Sequence, residues 1–83
     1  LDSTDPAQPS LAELTSATLR LLATGDKPFF AMIEGSQIDT AGHRNDAGYA
    51  VRETLHFDLA VREACAFAAS RTDTLVVVTA DHE

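Results

Sequence analysis

The sequence is poor in cysteine, in cationic side chains and in long apolar runs, and each shortage excludes a class of protein. Its single cysteine, Cys65, cannot form a disulfide within the chain, and an apolar helical pattern around it favours a packing role. Six Lys and Arg residues against thirteen Asp and Glu give a net charge of -7. This balance disfavours nucleic-acid binding, which needs clustered cations. No stretch of about 18 apolar residues is present, so we expect no membrane span.

The composition that remains is typical of a folded protein. Hydrophobic residues make up 45% of the chain and charged residues 23%, which excludes an intrinsically disordered segment. A chain of 83 residues forms one domain at most, and at this size it buries only about 60% of the surface that its unfolded form exposes. The sequence also lacks an initiating Met. We therefore expect residues 1–83 to be part of a larger domain that is incomplete at both ends.

Two segments have helical patterns. Ser10-Leu11-Ala12-Glu13 matches a capping box and predicts a helix from Ser10 to Thr24, because Gly25 and Pro28 then prevent its continuation. Its predicted apolar face consists of Leu11, Leu14, Thr18, Leu21 and Leu22. A longer helix is predicted from about Asp46 onward. Its predicted apolar stripe consists of Ala50, Thr54, Phe57, Val61, Cys65 and Ala68.

Two short apolar runs, Phe29–Ile33 and Thr74–Thr79, are predicted to be buried strands. Strand, long helix and strand in this order form a βαβ unit with parallel strands and a right-handed crossover. The predicted fold class is therefore α/β. We expect the chain to be a βαβ fragment of a larger, mostly parallel sheet with helices on both faces.

Acidic residues and histidines follow both predicted strands. Glu34, Asp39 and His43 come after the first strand, and Asp81 and His82 end the second. Because parallel strands place their carboxyl ends at one sheet edge, where open α/β sheets bind ligands, we expect these five side chains to form one site.

The chemistry of these residues suits metal ions. Asp39 and His43 are four residues apart, so one helical turn would place both on one face, and carboxylate plus imidazole is a zinc donor set. Glu34 offers only oxygen and suits a hard ion such as Mg²⁺. Each pattern is weak alone, and ordinary polar or surface roles remain alternatives. Ser36 does not stand in a nucleophile elbow, and a turn or capping role is favoured for it.

Several stretches together closely resemble the alkaline phosphatase family, over about Pro9 to Glu83. They are Phe29 to Gly35, Ile38-Asp39, His43, Glu53-Thr54-Leu55 and Asp73 to Glu83. The resemblance implies a phosphomonoesterase with two zinc ions and one magnesium ion. Asp39 and His43 would bind the first zinc, Asp81 and His82 the second, and Glu34 the magnesium. Thr40 departs from the family pattern, because many relatives place a basic or aromatic residue there.

The resemblance also implies what lies outside this sequence. The family's serine nucleophile, which carries the phosphoserine intermediate, its phosphate-binding arginine, an aspartate shared between metals and one histidine of the first zinc have no match here. We therefore expect no catalytic residue within residues 1–83 and no activity from this chain alone. Family resemblance further implies phosphate monoester substrates, a homodimer, and a periplasmic or extracellular location.

Two alternatives remain open from the sequence. One is another enzyme of the same superfamily, such as a sulfatase-like hydrolase or a phosphomutase. The other is a non-catalytic metal-binding α/β module.

Overall fold

Helix α3 is the surface on which the rest of the structure packs. The computed structural model describes residues 8–82, and in that range it has three helices: α1 (Leu11–Ala23), α2 (Gln37–His43) and α3 (Ala47–Ala69). Both α1 and α2 contact α3. The buried apolar side chains are Leu19 of α1, Ala41 of α2 and Ala60 of α3, one from each helix. The core therefore consists of the two interfaces with α3.

Helix α1 confirms the predicted capping box. The Ser10 hydroxyl accepts a hydrogen bond from the Glu13 N–H at 3.1 Å, and the Glu13 carboxylate accepts one from the Ser10 N–H at 3.3 Å. The predicted apolar face is wrong, however, because the helix turns Thr15 and Leu19 toward α3 and leaves Leu21 73% exposed. Thr15 tolerates burial because its hydroxyl donates to the Leu11 carbonyl at 2.7 Å.

The junction between α2 and α3 is made by consecutive capping bonds. The Asn45 N–H donates to the Gly42 carbonyl and the Asp46 N–H to the Ala41 carbonyl, both at 3.0 Å, which is the Schellman pattern. This pattern requires a left-handed residue, and Asn45 has φ of 53°. The Asp46 carboxylate then accepts from the Tyr49 N–H at 3.0 Å and starts α3. One helix thus ends and the next begins within a few residues.

Helix α3 begins where the sequence predicted, and its predicted stripe is only partly buried. Glu53 and Ala60 are the fully buried residues; of the predicted stripe, Ala50, Phe57, Val61 and Ala68 are half-buried, whereas Thr54 and Cys65 are exposed. The packing role predicted for Cys65 is therefore wrong. Although α3 has 23 residues, none of the helices described is both long and apolar enough to cross a membrane.

The predicted α/β fold class is wrong. Within residues 8–82 no strand is present, and the segments Phe29–Ile33 and Thr74–Thr79 are not paired with each other. A strand exists only where its backbone forms a ladder with a neighbour, and an apolar run in the sequence does not say where that neighbour lies. The first segment is partly covered. Ala31 and Ile33 are half-buried, whereas Phe30 is 86% exposed. The chain described is a three-helix structure without a βαβ unit.

A turn after α3 carries a small charge cluster. The Asp73 carboxylate accepts a hydrogen bond from the Thr74 hydroxyl at 3.1 Å and lies 3.4 Å from Nε of Arg71. The Thr74 bond, followed by the positive charge of Arg71, lowers the pKa of Asp73 below its usual value. The ionised form of Asp73 is therefore favoured in the folded chain.

The left-handed backbone at position 45 predicts a specific mutational pattern. Asn45→Val should destabilise the chain by about 1–2 kcal/mol, because a side chain with a branched Cβ is strained at positive φ. Asn45→Gly should leave stability nearly unchanged, since glycine adopts this conformation freely. Urea unfolding followed by circular dichroism measures both variants. Equal stability of the two would contradict the Schellman junction.

The turn at Asp73 predicts a pH effect of defined sign. Because the folded pKa is lower than the unfolded pKa, the stabilisation by this carboxylate is present above the unfolded pKa and is lost as pH falls through the folded one. Thr74→Val should raise the pKa of Asp73 toward its ordinary value. An NMR titration of the carboxyl carbon tests this, with exposed Asp58 as the internal control. An unchanged pKa in Thr74→Val would show that the hydroxyl has no such effect.

Candidate metal centre

Helix α2 places Asp39 and His43 on one face, as their spacing predicted. The helix runs from Gln37 to His43, so the two residues are one turn apart. Nε2 of His43 lies 3.3 Å from Oδ2 of Asp39. Asp39 lies in the first turn of the helix, where a negative group is favoured, and His43 lies in the last turn.

The second sequence motif reaches the same place. Nε2 of His82 lies 3.6 Å from Oδ1 of Asp39 and 3.9 Å from Oδ1 of Asp81. The Asp39 carboxylate thus lies between two imidazoles and presents a different oxygen to each. We refer to Asp39, His43, Asp81 and His82 as the Asp39 cluster. It joins residues that are 43 positions apart in the chain, from 39 to 82.

Glu34 is not part of this group. It is exposed and has no hydrogen bond or ion pair to the Asp39 cluster among residues 8–82. Its segment instead lines a cavity between the start of α1, the start of α2 and the middle of α3. The structure therefore brings together four of the five predicted ligands and leaves Glu34 apart.

The Asp39 cluster fits zinc in the kind of its donors and only in part in their arrangement. Zinc bonds of about 2.0–2.2 Å to nitrogen and oxygen place tetrahedral neighbours about 3.3–3.5 Å apart, and the Asp39–His43 separation of 3.3 Å agrees with this spacing. However, no three His, Cys, Asp or Glu side chains within the described range converge as a metal site. The observed unit is a pair of donors with a second pair beside it.

Solvent exposure sets the strength of these contacts. The His43 side chain is 79% exposed and the Asp81 side chain 95%. Exposed ion pairs contribute about 0–1 kcal/mol, because water screens them. The cluster therefore contributes little to folding, and its geometry is set by the elements that carry it.

One buried acidic residue was missed by sequence reasoning. Glu53 of α3 is only 7% exposed and lines the cavity beside Glu34, together with Gly35, Ser36 and Gln37. The signal that could have found it is its position, four residues after Tyr49 and four before Phe57. Ser36 is the N-cap residue of α2 as its predicted capping role requires, but its side chain makes no capping bond.

The family comparison covers the whole chain. The family model for alkaline phosphatase matches residues 1–83. The chain is 43% identical over 82 residues to the membrane-bound alkaline phosphatase of Bombyx mori, covering 99% of this chain and 15% of the relative. It is 46% identical over 74 residues to alkaline phosphatase 3 of Bacillus subtilis, covering 89% and 16% respectively. The alkaline phosphatase of Escherichia coli is 40% identical over 74 residues, with the same two coverages.

These matches place the chain within a small part of each relative. It spans about a sixth of the length of the curated relatives it matches. No solved structure gives a significant match. The family model matches residues 1–83, and the relatives named above are 40–46% identical to the chain. These two findings show that the chain belongs to the alkaline phosphatase family.

Proposed function

We propose that this chain supplies part of the metal centre of a phosphomonoesterase. The observation that carries the proposal is the Asp39 carboxylate between the imidazoles of His43 and His82, at 3.3 and 3.6 Å. Membership of the alkaline phosphatase family supports phosphate monoesters as the substrates. The negative charge of the chain is consistent with residues that hold cations.

Each member of the Asp39 cluster has a defined task in this proposal. Asp39 and His43 would bind one zinc ion, and Asp81 and His82 would bind a second. Glu34, outside the cluster, would bind a magnesium ion. Bound zinc would act as a Lewis acid and lower the pKa of an attacking hydroxyl. Helix α2 fixes the spacing of Asp39 and His43. The structure supports the Asp39–His43 pair most directly, whereas Asp81 and His82 are 3.9 Å apart and Glu34 lies apart from the cluster.

The reaction also needs groups outside these residues, above all the serine that would form the phosphoserine intermediate. Large apolar side chains support the proposal that residues 1–83 are part of a longer protein. Phe30, Met32 and Leu75 are each more than 80% exposed. Large apolar side chains with this degree of exposure are typical of a surface that another segment or partner covers. We propose that further segments of a longer, exported and dimeric enzyme cover it.

Zinc binding by the 83-residue chain is the first test. Isothermal titration should show binding that His43→Ala weakens by more than tenfold, because even indirect partners of a metal change affinity by about 10–100-fold. Asp58→Ala is the control, since exposed Asp58 lies on α3 outside both the Asp39 cluster and the lining of the cavity beside Glu34. Equal affinity of the two variants would remove His43 as a zinc ligand.

Activity is tested in a chimera. This chain would replace the matching 74 residues of the Escherichia coli enzyme, and hydrolysis of a phosphate monoester would be measured. His82→Ala in the chimera should lower kcat/KM by more than about 100-fold, beyond the loss that removal of an outer partner causes. Asp58→Ala should leave it nearly unchanged. Normal turnover of the His82→Ala chimera would contradict the proposed function.

A further inference from the structure

A stripe of α3 holds the segment that leads into α2. The residues of this stripe are Tyr49, Glu53 and Phe57, each four positions from the next and therefore on one helix face. They lie opposite residues 35–37, which lead into α2 and include its first residue, Gln37. We call residues 35–37 the pre-helix turn. Two members of the stripe have visible contacts with this turn.

The outer members make a polar and an apolar contact. The Tyr49 hydroxyl donates to Oε1 of Gln37 at 2.7 Å in a partly buried position. At the other end, the backbone of Gly35 lies against the Phe57 ring so closely that a Cβ at position 35 would be 2.7 Å from Cδ1 of Phe57. The pre-helix turn is thus attached to α3 at both ends.

The central member, Glu53, has no such contact. Its side chain has no hydrogen bond or ion pair with any described residue, although the residue is more than nine-tenths buried. No side-chain N or O atom in residues 8–82 is both fully buried and unsatisfied, so the Glu53 oxygens reach the cavity. Without a donor from the protein, the Glu53 carboxylate depends on water in the cavity for its hydrogen bonds.

The donors that are available lie across the same cavity. The pre-helix turn lines it, and α2 begins there without a side-chain cap, so backbone N–H groups at its start need acceptors. The cavity has a volume of about 160 Å³, which is room for several water molecules, and its lining includes His56 but no Lys or Arg.

We infer that Glu53 is a positioning residue that caps α2 through water held in this cavity. The carboxylate accepts from the water, and the water accepts from N–H groups of the pre-helix turn. This link fixes the start of α2 on α3 and so fixes the direction in which Asp39 and His43 project. The inference rests on the proposed function only for its effect on zinc, since the capping link itself needs no metal.

The test uses the 83-residue chain and reads the pre-helix turn directly. Glu53→Ala should shift the backbone amide NMR signals of Gly35, Ser36 and Gln37 and lower zinc affinity about tenfold, as loss of a supporting partner does. Glu53→Gln should restore both, because its amide oxygen still accepts a hydrogen bond. Glu63→Gln, an exposed site on the same helix, is the control and should change neither.

The outcomes separate this inference from the proposed function. Unchanged amide signals and zinc affinity in Glu53→Ala would overturn the inference. If the wild-type chain fails to bind zinc, the proposed function loses its support, and the amide signals alone decide the role of Glu53. If Glu53→Ala does not fold, Glu53→Asp replaces it. The aspartate side chain keeps the negative charge but is one methylene shorter, so it should not reach the same water. Unchanged amide signals at positions 35–37 in Glu53→Asp would then overturn the inference.

Discussion

The Asp39 cluster depends on the junction between α2 and α3. The left-handed backbone of Asn45 lets α2 close with two capping bonds, and Asp46 opens α3 immediately afterwards. With so few residues between the helices, the angle of α2 on α3 has little freedom. The direction of His43, the last residue of α2, follows from that angle. A backbone conformation two residues beyond the site thus sets the geometry of the site.

The positions of α1 and α3 could be predicted from the sequence because their signals are local, whereas α2 has no side-chain cap and was not predicted as a helix. The Ser10–Glu13 capping box and the Asp46 cap each depend on residues three positions apart, and both occur in the structure. The buried faces could not be predicted, because several faces of these helices are apolar and the partner selects among them. On α1 the partner selects Thr15 and Leu19; on α3 it selects a stripe that includes a charged residue, Glu53.

The predicted strands failed for the opposite reason, since strand pairing is a long-range property. An apolar run such as Leu75 to Val78 has high strand propensity, but propensity does not supply the neighbouring backbone. The approach of His82 to Asp39 was expected from a shared sheet edge, and it is present without that sheet. The contact of Asp39 with His43 needed only a helical turn, so the spacing of four residues was enough to predict it.

Helix α2 could not hold the Asp39–His43 pair without α3. It has seven residues, well below the roughly 12–15 at which isolated helices begin to be stable in water, and Gly42 weakens it further. The exposed contact between Asp39 and His43 contributes at most about 1 kcal/mol and cannot make up the difference. Ala41, between the two donors, is completely buried against neighbouring residues. Packing of α2 on α3 therefore keeps the carboxylate and the imidazole 3.3 Å apart, and changes on α3 that never touch a metal should alter metal binding.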